Sequence, residues 1–369
     1  MDNNRTIKDF GLFSTVIVVV IGVRAFSYAR VLADYAGNDG WLITIISGLI
    51  SLLLILCIYK LILLNNFKSF SEICTNNAGR FIGSIFQLSM MIFIILNISF
   101  GMRGFIEEIK MYLLENTPTE FLIAITILIA LCLVTSNANV LIKFNEAAFW
   151  IIFIPTIIIF IFSLYQADLT NLLPVLNEKP VNYFTGTIRT INRFEGIEII
   201  FLVLPLLKSR DKIRKTLVNS IFFITIFYTL ISMIVIAVFT KDQAKILVWP
   251  VITMVKSINI HGAFIERWDG IVLSVWIFFF FTMFTSGYYF SADILKNTFK
   301  IRNNKIAVLL LIPFIYAISL YPGNVAENEL ISNWILPLLF FINIVCIPLL
   351  LLIITKIKGK GVESNSNPA

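Results

Sequence analysis

Two stretches place chargeable side chains where a lipid-spanning helix tolerates them least. In Val18–Arg30, VVVIGVRAFSYAR, Gly22 interrupts an apolar run and Arg24 follows two residues later. In Arg193–Pro205, RFEGIEIIFLVLP, Glu195 and Glu198 flank Gly196, and the following apolar run is cut off by Pro205. A charge near the bilayer centre costs at least about 2.5 kcal/mol on insertion scales, so such groups should face protein, a cavity or a partner rather than lipid. The glycines supply the other half of the chemistry. A helix broken at Gly22 or Gly196 frees backbone N–H and C=O groups that can hold a small zwitterion. The candidate ligand-binding set is therefore Gly22, Val23, Arg24, Phe194, Glu195, Gly196 and Glu198. A plainer reading has both glycines serving only close helix packing.

Weaker candidates lie further along the chain. Thr282, Thr285 and Ser286 form a possible ion site with carbonyls near Gly22, although such hydroxyls more often bond back to their own helix. The only His is His261, and Cys57, Cys74, Cys132 and Cys346 form no close pair, so no metal or disulfide framework is expected. No GxSxG, HExxH or clustered Asp motif suggests an enzyme, and no cofactor is expected.

The elements that must position these residues follow from composition. The chain has 369 residues, 58% hydrophobic and only 14% charged, with a mean hydropathy of +0.90. Soluble domains carry about 25% charged residues. At about 20 apolar residues per crossing, ten spans can be laid out: Phe10–Ala33, Trp41–Leu64, Ile82–Met102, Phe121–Thr135, Val140–Tyr165, Ile191–Leu207, Thr216–Phe239, Trp268–Ala292, Ile306–Tyr321 and Trp334–Thr355, the fourth and sixth being short enough that eight or nine spans is the competing count. The first is too long for a signal peptide core and lacks an A-x-A site. The stretch Asn65–Gly83 suits an interfacial helix. The loops Gln166–Thr190 and Lys241–Arg267 suit short helices capping one face.

Lys and Arg gather in every second gap, most densely in KSRDKIRK at Lys208–Lys215, while Asp34–Gly40 and Pro322–Asn333 have none. Ten spans with both termini cytoplasmic put seventeen basic residues inside and nine outside, as the positive-inside rule requires. The net charge of +7 then answers to anionic lipid, not nucleic acid. The chain reads as one all-α polytopic domain over residues 1–369, with a cytoplasmic tail at 356–369. The two interrupted segments are the first and sixth spans, matching positions in two halves, at about 10–165 and 191–355. An inverted five-plus-five repeat brings such segments side by side near the midplane.

Four motifs in this order resemble a known family: the first span with central Gly22, the segment Asp34-Tyr-Ala-Gly-Asn-Asp-Gly-Trp41, the Phe194-Glu-Gly-Ile-Glu198 entry to span six with Pro205, and Glu266-Arg-Trp-Asp269. Together they look like the B subunit of spore germinant receptors, of the GerAB/GerKB type. That family is similar to amino acid–polyamine–organocation transporters, which implies a LeuT-like 5+5 core with broken helices 1 and 6. The resemblance implies a sensor in the spore inner membrane, acting with a membrane A subunit and a lipoprotein C subunit. Its ligand would be a small nutrient, an amino acid, bound between the breaks. An amino-acid transporter of the same fold is the alternative, and a structural subunit with a vestigial pocket a further one. Such transporters usually carry Gly-x-Gly in span one, whereas this chain reads Gly22-Val23-Arg24. Arg24 can pair with Glu195 or Glu198, bind a ligand carboxylate directly, or line a water-filled path.

Overall fold

The computed structural model describes residues 7–22, 24–257 and 268–365, the side chains of 268–274 and 359–365 excepted. Val23, His261, Glu266 and Arg267 lie outside the described residues. Among the described residues fourteen α-helices follow in chain order: α1 Asp9–Ile21, α2 Ala25–Ala36, α3 Gly40–Leu64, α4 Phe70–Tyr112, α5 Thr119–Val134, α6 Ala138–Leu164, α7 Pro180–Thr190, α8 Ile200–Val203, α9 Ile213–Ile246, α10 Pro250–Ser257, α11 Trp268–Phe299, α12 Asn304–Leu320, α13 Val325–Phe340 and α14 Ile347–Asn365. Among the described residues the only β pairing is an isolated bridge between Ile7 and Leu207.

Among the described residues six helical stretches are long and apolar enough to cross a membrane, and α1, α5 and α12 are shorter apolar helices. One of the six, Ala25–Leu64, joins α2 to α3 through the turn at Gly37–Asp39. Pairing α1 with α2, and counting the irregular stretch 191–207, yields the ten crossings of an all-α membrane protein. Spans one and six are broken. The first breaks between Ile21 and Ala25, where Gly22 has φ +43°. The sixth is a chain of short 3-10 and α turns around Gly196.

Helix α1 is central. Every residue from Ser14 to Ile21 is buried, as a helix apolar all round must be. It packs on α6, α9 and α11, while α3 packs along α9 and α4 along α11. Those last two pairings join span two to seven and three to eight, the equivalent positions of two halves. Side chains such as Leu128, Ile154, Ile161 and Phe314 project outward from α5, α6 and α12, where lipid tails would cover them.

Ile7 and Lys358, near the two ends of the described residues, lie on one face, here the terminal face. Lys208 N donates to Ile7 O at 3.1 Å, Arg210 stacks over Phe67 at 3.9 Å, and Lys358 donates to the Asn77 carbonyl at 2.9 Å. The interfacial helix is present there. Ser69 and Glu72 form a capping box at its start, and Gly79, at φ +81°, separates it from span three. Helices α7 and α10 lie in the two long loops of the opposite, distal face.

Two boundaries depart from the sequence pattern. Span three continues past Met102 to Tyr112, because Arg103 and Glu107 pair at 2.9 Å one helical turn apart. Span ten begins at Val325, with Asn324 accepting from Glu327 N at 2.9 Å as N-cap. Both additions bring polar residues to the distal end of the bundle. The tail expected at 356–369 is helical through Asn365.

Candidate functional site at the two helix breaks

The two breaks lie against each other. A Cβ on Gly196 would sit 3.2 Å from Val19 O and from Val20 Cα, and the residue has φ +103°. Only glycine lets the sixth span ride this close on α1. At Gly22, φ +43°, a Cβ would meet Met283 Sδ at 2.7 Å. Breaking α1 orphans its last carbonyls, which would otherwise be costly away from water. The Tyr228 hydroxyl of α9 lies 3.2 Å from Val20 O, 3.1 Å from Ile21 O and 3.4 Å from Arg193 O. It thus ties the end of α1 to the entry of the second break.

Arg24 and Glu195 form an ion pair across the breaks, with side chains only 16% and 4% exposed. The second guanidinium nitrogen donates to Asn97 Oδ1 of α4 at 2.7 Å. Glu195 Oε2 is buried without a hydrogen-bond partner among the described residues. Glu198 is not part of this pair: its carboxylate accepts the Gly196 N–H at 2.8 Å and closes its own turn. Phe194 is fully buried and meets Tyr228 edge-on at 5.6 Å. The structure therefore brings Gly22, Arg24, Phe194, Glu195 and Gly196 together. Asn97 and Tyr228 complete the arrangement, yet each looks unremarkable in an apolar span, and no local signal marks either.

The hydroxyls of span eight divide. Thr282 Oγ1 reaches Val18 O at 3.3 Å as well as its own helix carbonyls at 2.9 and 3.0 Å. Thr285 bonds back to Phe281 O at 2.6 Å. Ser286 accepts from Asn145 Nδ2 of α6 at 3.0 Å. Spans one, five and eight are thus joined here by protein groups. No cluster of His, Cys, Asp or Glu fit for a metal occurs among the described residues.

A cavity of about 90 Å³ opens beside the breaks toward the distal face, lined by Arg24, Arg193, Asn192, Glu108, Asn328 and Glu329 among others. Arg30 pairs with Glu329 at 2.5 Å at its edge. A second cavity, of about 510 Å³, lies toward the terminal face, with Phe201, Pro205, Glu72, Asp293 and Asn297 in its lining. The ion pair and the breaks sit between the two.

The segment from Asp34 to Trp41 has a positioning role. Asp39 accepts from Leu176 N at 2.8 Å, Asn177 N at 3.1 Å and the Tyr183 hydroxyl at 2.7 Å. Asn38 donates to Leu173 O at 2.7 Å. This turn therefore pins the distal loop and α7 over span one. In the same loop, the Thr170 hydroxyl and N–H hold the Asp168 carboxyl below the usual carboxylate range.

Comparison with known proteins bears on this arrangement. The spore permease family, described as "Spore germination protein", matches residues 6–328. "Spore germination protein A2" of Bacillus subtilis (strain 168) is 28% identical over 96% of this chain and 96% of its own length. "Spore germination protein GerQB" of Bacillus cereus is 26% identical over 95% of this chain and 97% of its own length. Among solved structures, a Na⁺-coupled sialic acid symporter in a substrate-bound outward-open state aligns with TM-score 0.64 at 12% identity, over 92% of this chain and 79% of that one. An Eremococcus coleocola manganese transporter aligns with TM-score 0.54 at 16% identity, over 98% and 88%. These similarities show the transporter-type 5+5 fold and no more.

Proposed function

The chain belongs to the spore germination protein family, a family of germinant-receptor-like membrane proteins and not of enzymes, and from that premise we propose that it is the nutrient-sensing subunit of a germinant receptor. It resides in the spore inner membrane with both termini cytoplasmic, which makes the distal face the outer one. A small nutrient, an amino acid, enters from that face and lodges at the breaks in spans one and six. Its partners are a membrane A subunit and a lipoprotein C subunit.

One observation carries this reading: two broken spans from matching positions meet through the Arg24–Glu195 ion pair beside a polar cavity. The repeats at about 10–165 and 191–355 each contribute one break. Occupancy must favour one arrangement of the breaks over another, since a ligand shifts an equilibrium only by its differential affinity for the two states. Arg24, held by Glu195 and Asn97, links spans one, three and six and is placed to pass such a shift between them. The bias would then reach the partner subunits through the packed faces of the bundle.

The cavity on the terminal face favours a second reading, an amino-acid transporter with entry and exit on opposite sides. Dipicolinate release from spores lacking this gene tests the first. Lost response to one amino acid, restored by the wild-type gene, supports a sensor; an unchanged response to all of them, in spores without other receptors, overturns it. Coupled amino-acid flux into liposomes holding this chain alone would move the assignment to the transporter.

A further inference from the structure

We infer that the distal cavity binds the two charged ends of an amino acid on Glu108 and Arg193, the ammonium on the first and the carboxylate on the second. This rests on the proposed sensing of an amino acid and assigns its charge recognition to Glu108 of span three and to Arg193 at the entry of the second break.

The argument begins with which charges are already taken. Arg24 is paired with Glu195, Arg30 with Glu329, and Arg103 with Glu107. Two charged groups of the cavity remain. Arg193, half-buried, makes no contact-distance ion pair and no side-chain hydrogen bond among the described residues, although Glu195 and Glu329 lie near enough to act on its charge and its guanidinium offers five donors. Glu108, only 5% exposed, likewise has no donor or cation against it among the described residues. Buried polar groups in native proteins are nearly always bonded, and an uncompensated buried charge is more costly still. A guanidinium and a carboxyl that share a cavity, neither held at contact distance by a protein partner among the described residues, match a ligand carrying both signs.

The lining supports the same conclusion. Asn192 Oδ1 and Asn328 Oδ1 are buried acceptors without a partner, and both residues line this cavity. They suit an ammonium group, which carries three donors and can satisfy Glu108 with only one or two of them. Helix α4 presents Asn97, Gly101, Gly104 and Glu108 at helical spacing along one stripe. Gly101 and Gly104 leave that stripe without side chains, and a Cβ on Gly104 would meet only Asn328 Nδ2, at 3.7 Å. The cavity's roughly 90 Å³, at about 10–15 Å³ per water position, is room for on the order of six to nine waters. That is the scale of a small amino acid. Arg24 of the ion pair forms part of the wall and Glu195 does not, so a ligand seated here touches the first break without having to separate the pair.

The test uses spores whose only receptor operon carries this gene, each common L-amino acid as the probe, and dipicolinate release as the readout. Once wild type identifies a responding amino acid, its decarboxylated amine and its deaminated acid serve as further probes. Glu108→Gln and Arg193→Gln should each raise the half-maximal amino-acid concentration at least tenfold, the effect of losing one charge-assisted hydrogen bond, with receptor abundance unchanged. Gly104→Leu, which fills the cavity, should abolish the response while Gly104→Ala keeps it. Neither the amine nor the acid should trigger wild type. Should a neutral variant fail to accumulate, Glu108→Asp and Arg193→Lys keep the charge and should still shift the half-maximal concentration about threefold or more. An unshifted concentration in stable variants overturns this inference and leaves the proposed function standing. A wild-type receptor that responds to no amino acid overturns both.

Discussion

Replacing Glu195 by Met leaves the Arg24 guanidinium in a site where its side chain is only 16% exposed. Removing one partner of a buried ion pair costs about 3–5 kcal/mol, whereas replacing both with apolar groups of similar volume is often neutral. Glu195→Met and Arg24→Met should each destabilise by about that amount, and the double variant should lose much less than their sum. Arg24→Met should be the worse of the two, because it also orphans Asn97 Oδ1, which accepts at 2.7 Å; an unsatisfied buried acceptor adds about 1–3 kcal/mol. At about 2.1 cal/mol/K per residue, a chain of 369 residues loses on the order of 4–6 °C in Tm for 3–5 kcal/mol. The assay is thermal unfolding of the purified protein in detergent, followed by a thiol-reactive dye in a background carrying Cys57→Ser, Cys132→Ser and Cys346→Ser, so that only the buried Cys74 reports. Single-variant shifts below about 1 °C, or a double variant that equals the sum of the singles, would refute the reasoning. The first result would mean that water screens the pair, and the second that the two groups do not interact.

Gly196→Ala should lower Tm and membrane abundance, since its Cβ would press on the α1 backbone at 3.2 Å in a left-handed conformation; the cost is about 1–3 kcal/mol, and a variant with wild-type Tm would show that the breaks do not touch as described. Asp39→Ala removes the acceptor of two N–H groups and one hydroxyl, at about 1.5–3 kcal/mol for each charge-assisted bond. Hydrogen exchange at Leu176 and Asn177 should then rise at least tenfold, and unchanged exchange would mean that other contacts hold the distal loop.

The sequence by itself determined the solvent of the fold and the places where that solvent is violated. Apolar runs of membrane length, basic gaps on one side, and the interruptions at Gly22 and Gly196 are local patterns, because each crossing must satisfy its own backbone and shed its own charges. The capping box at Ser69 and Glu72 is local too, and the interfacial helix lies where Asn65–Gly83 implied it. Family membership followed from the order of motifs along nearly the whole chain. Tertiary structure alone decided which charges are spent. Of the readings open for Arg24, the structure places it against Glu195 and not Glu198, because Glu198 turns back onto the Gly196 N–H. It also decided that spans three and ten run on past their apolar cores. Glu108, Asn328 and Glu329 there face a shared cavity instead of a loop, so no hydropathy penalty ends the helix. Whether a polar residue in a membrane span is paired or free depends on groups far away in the chain, and composition and spacing carry no record of that distance.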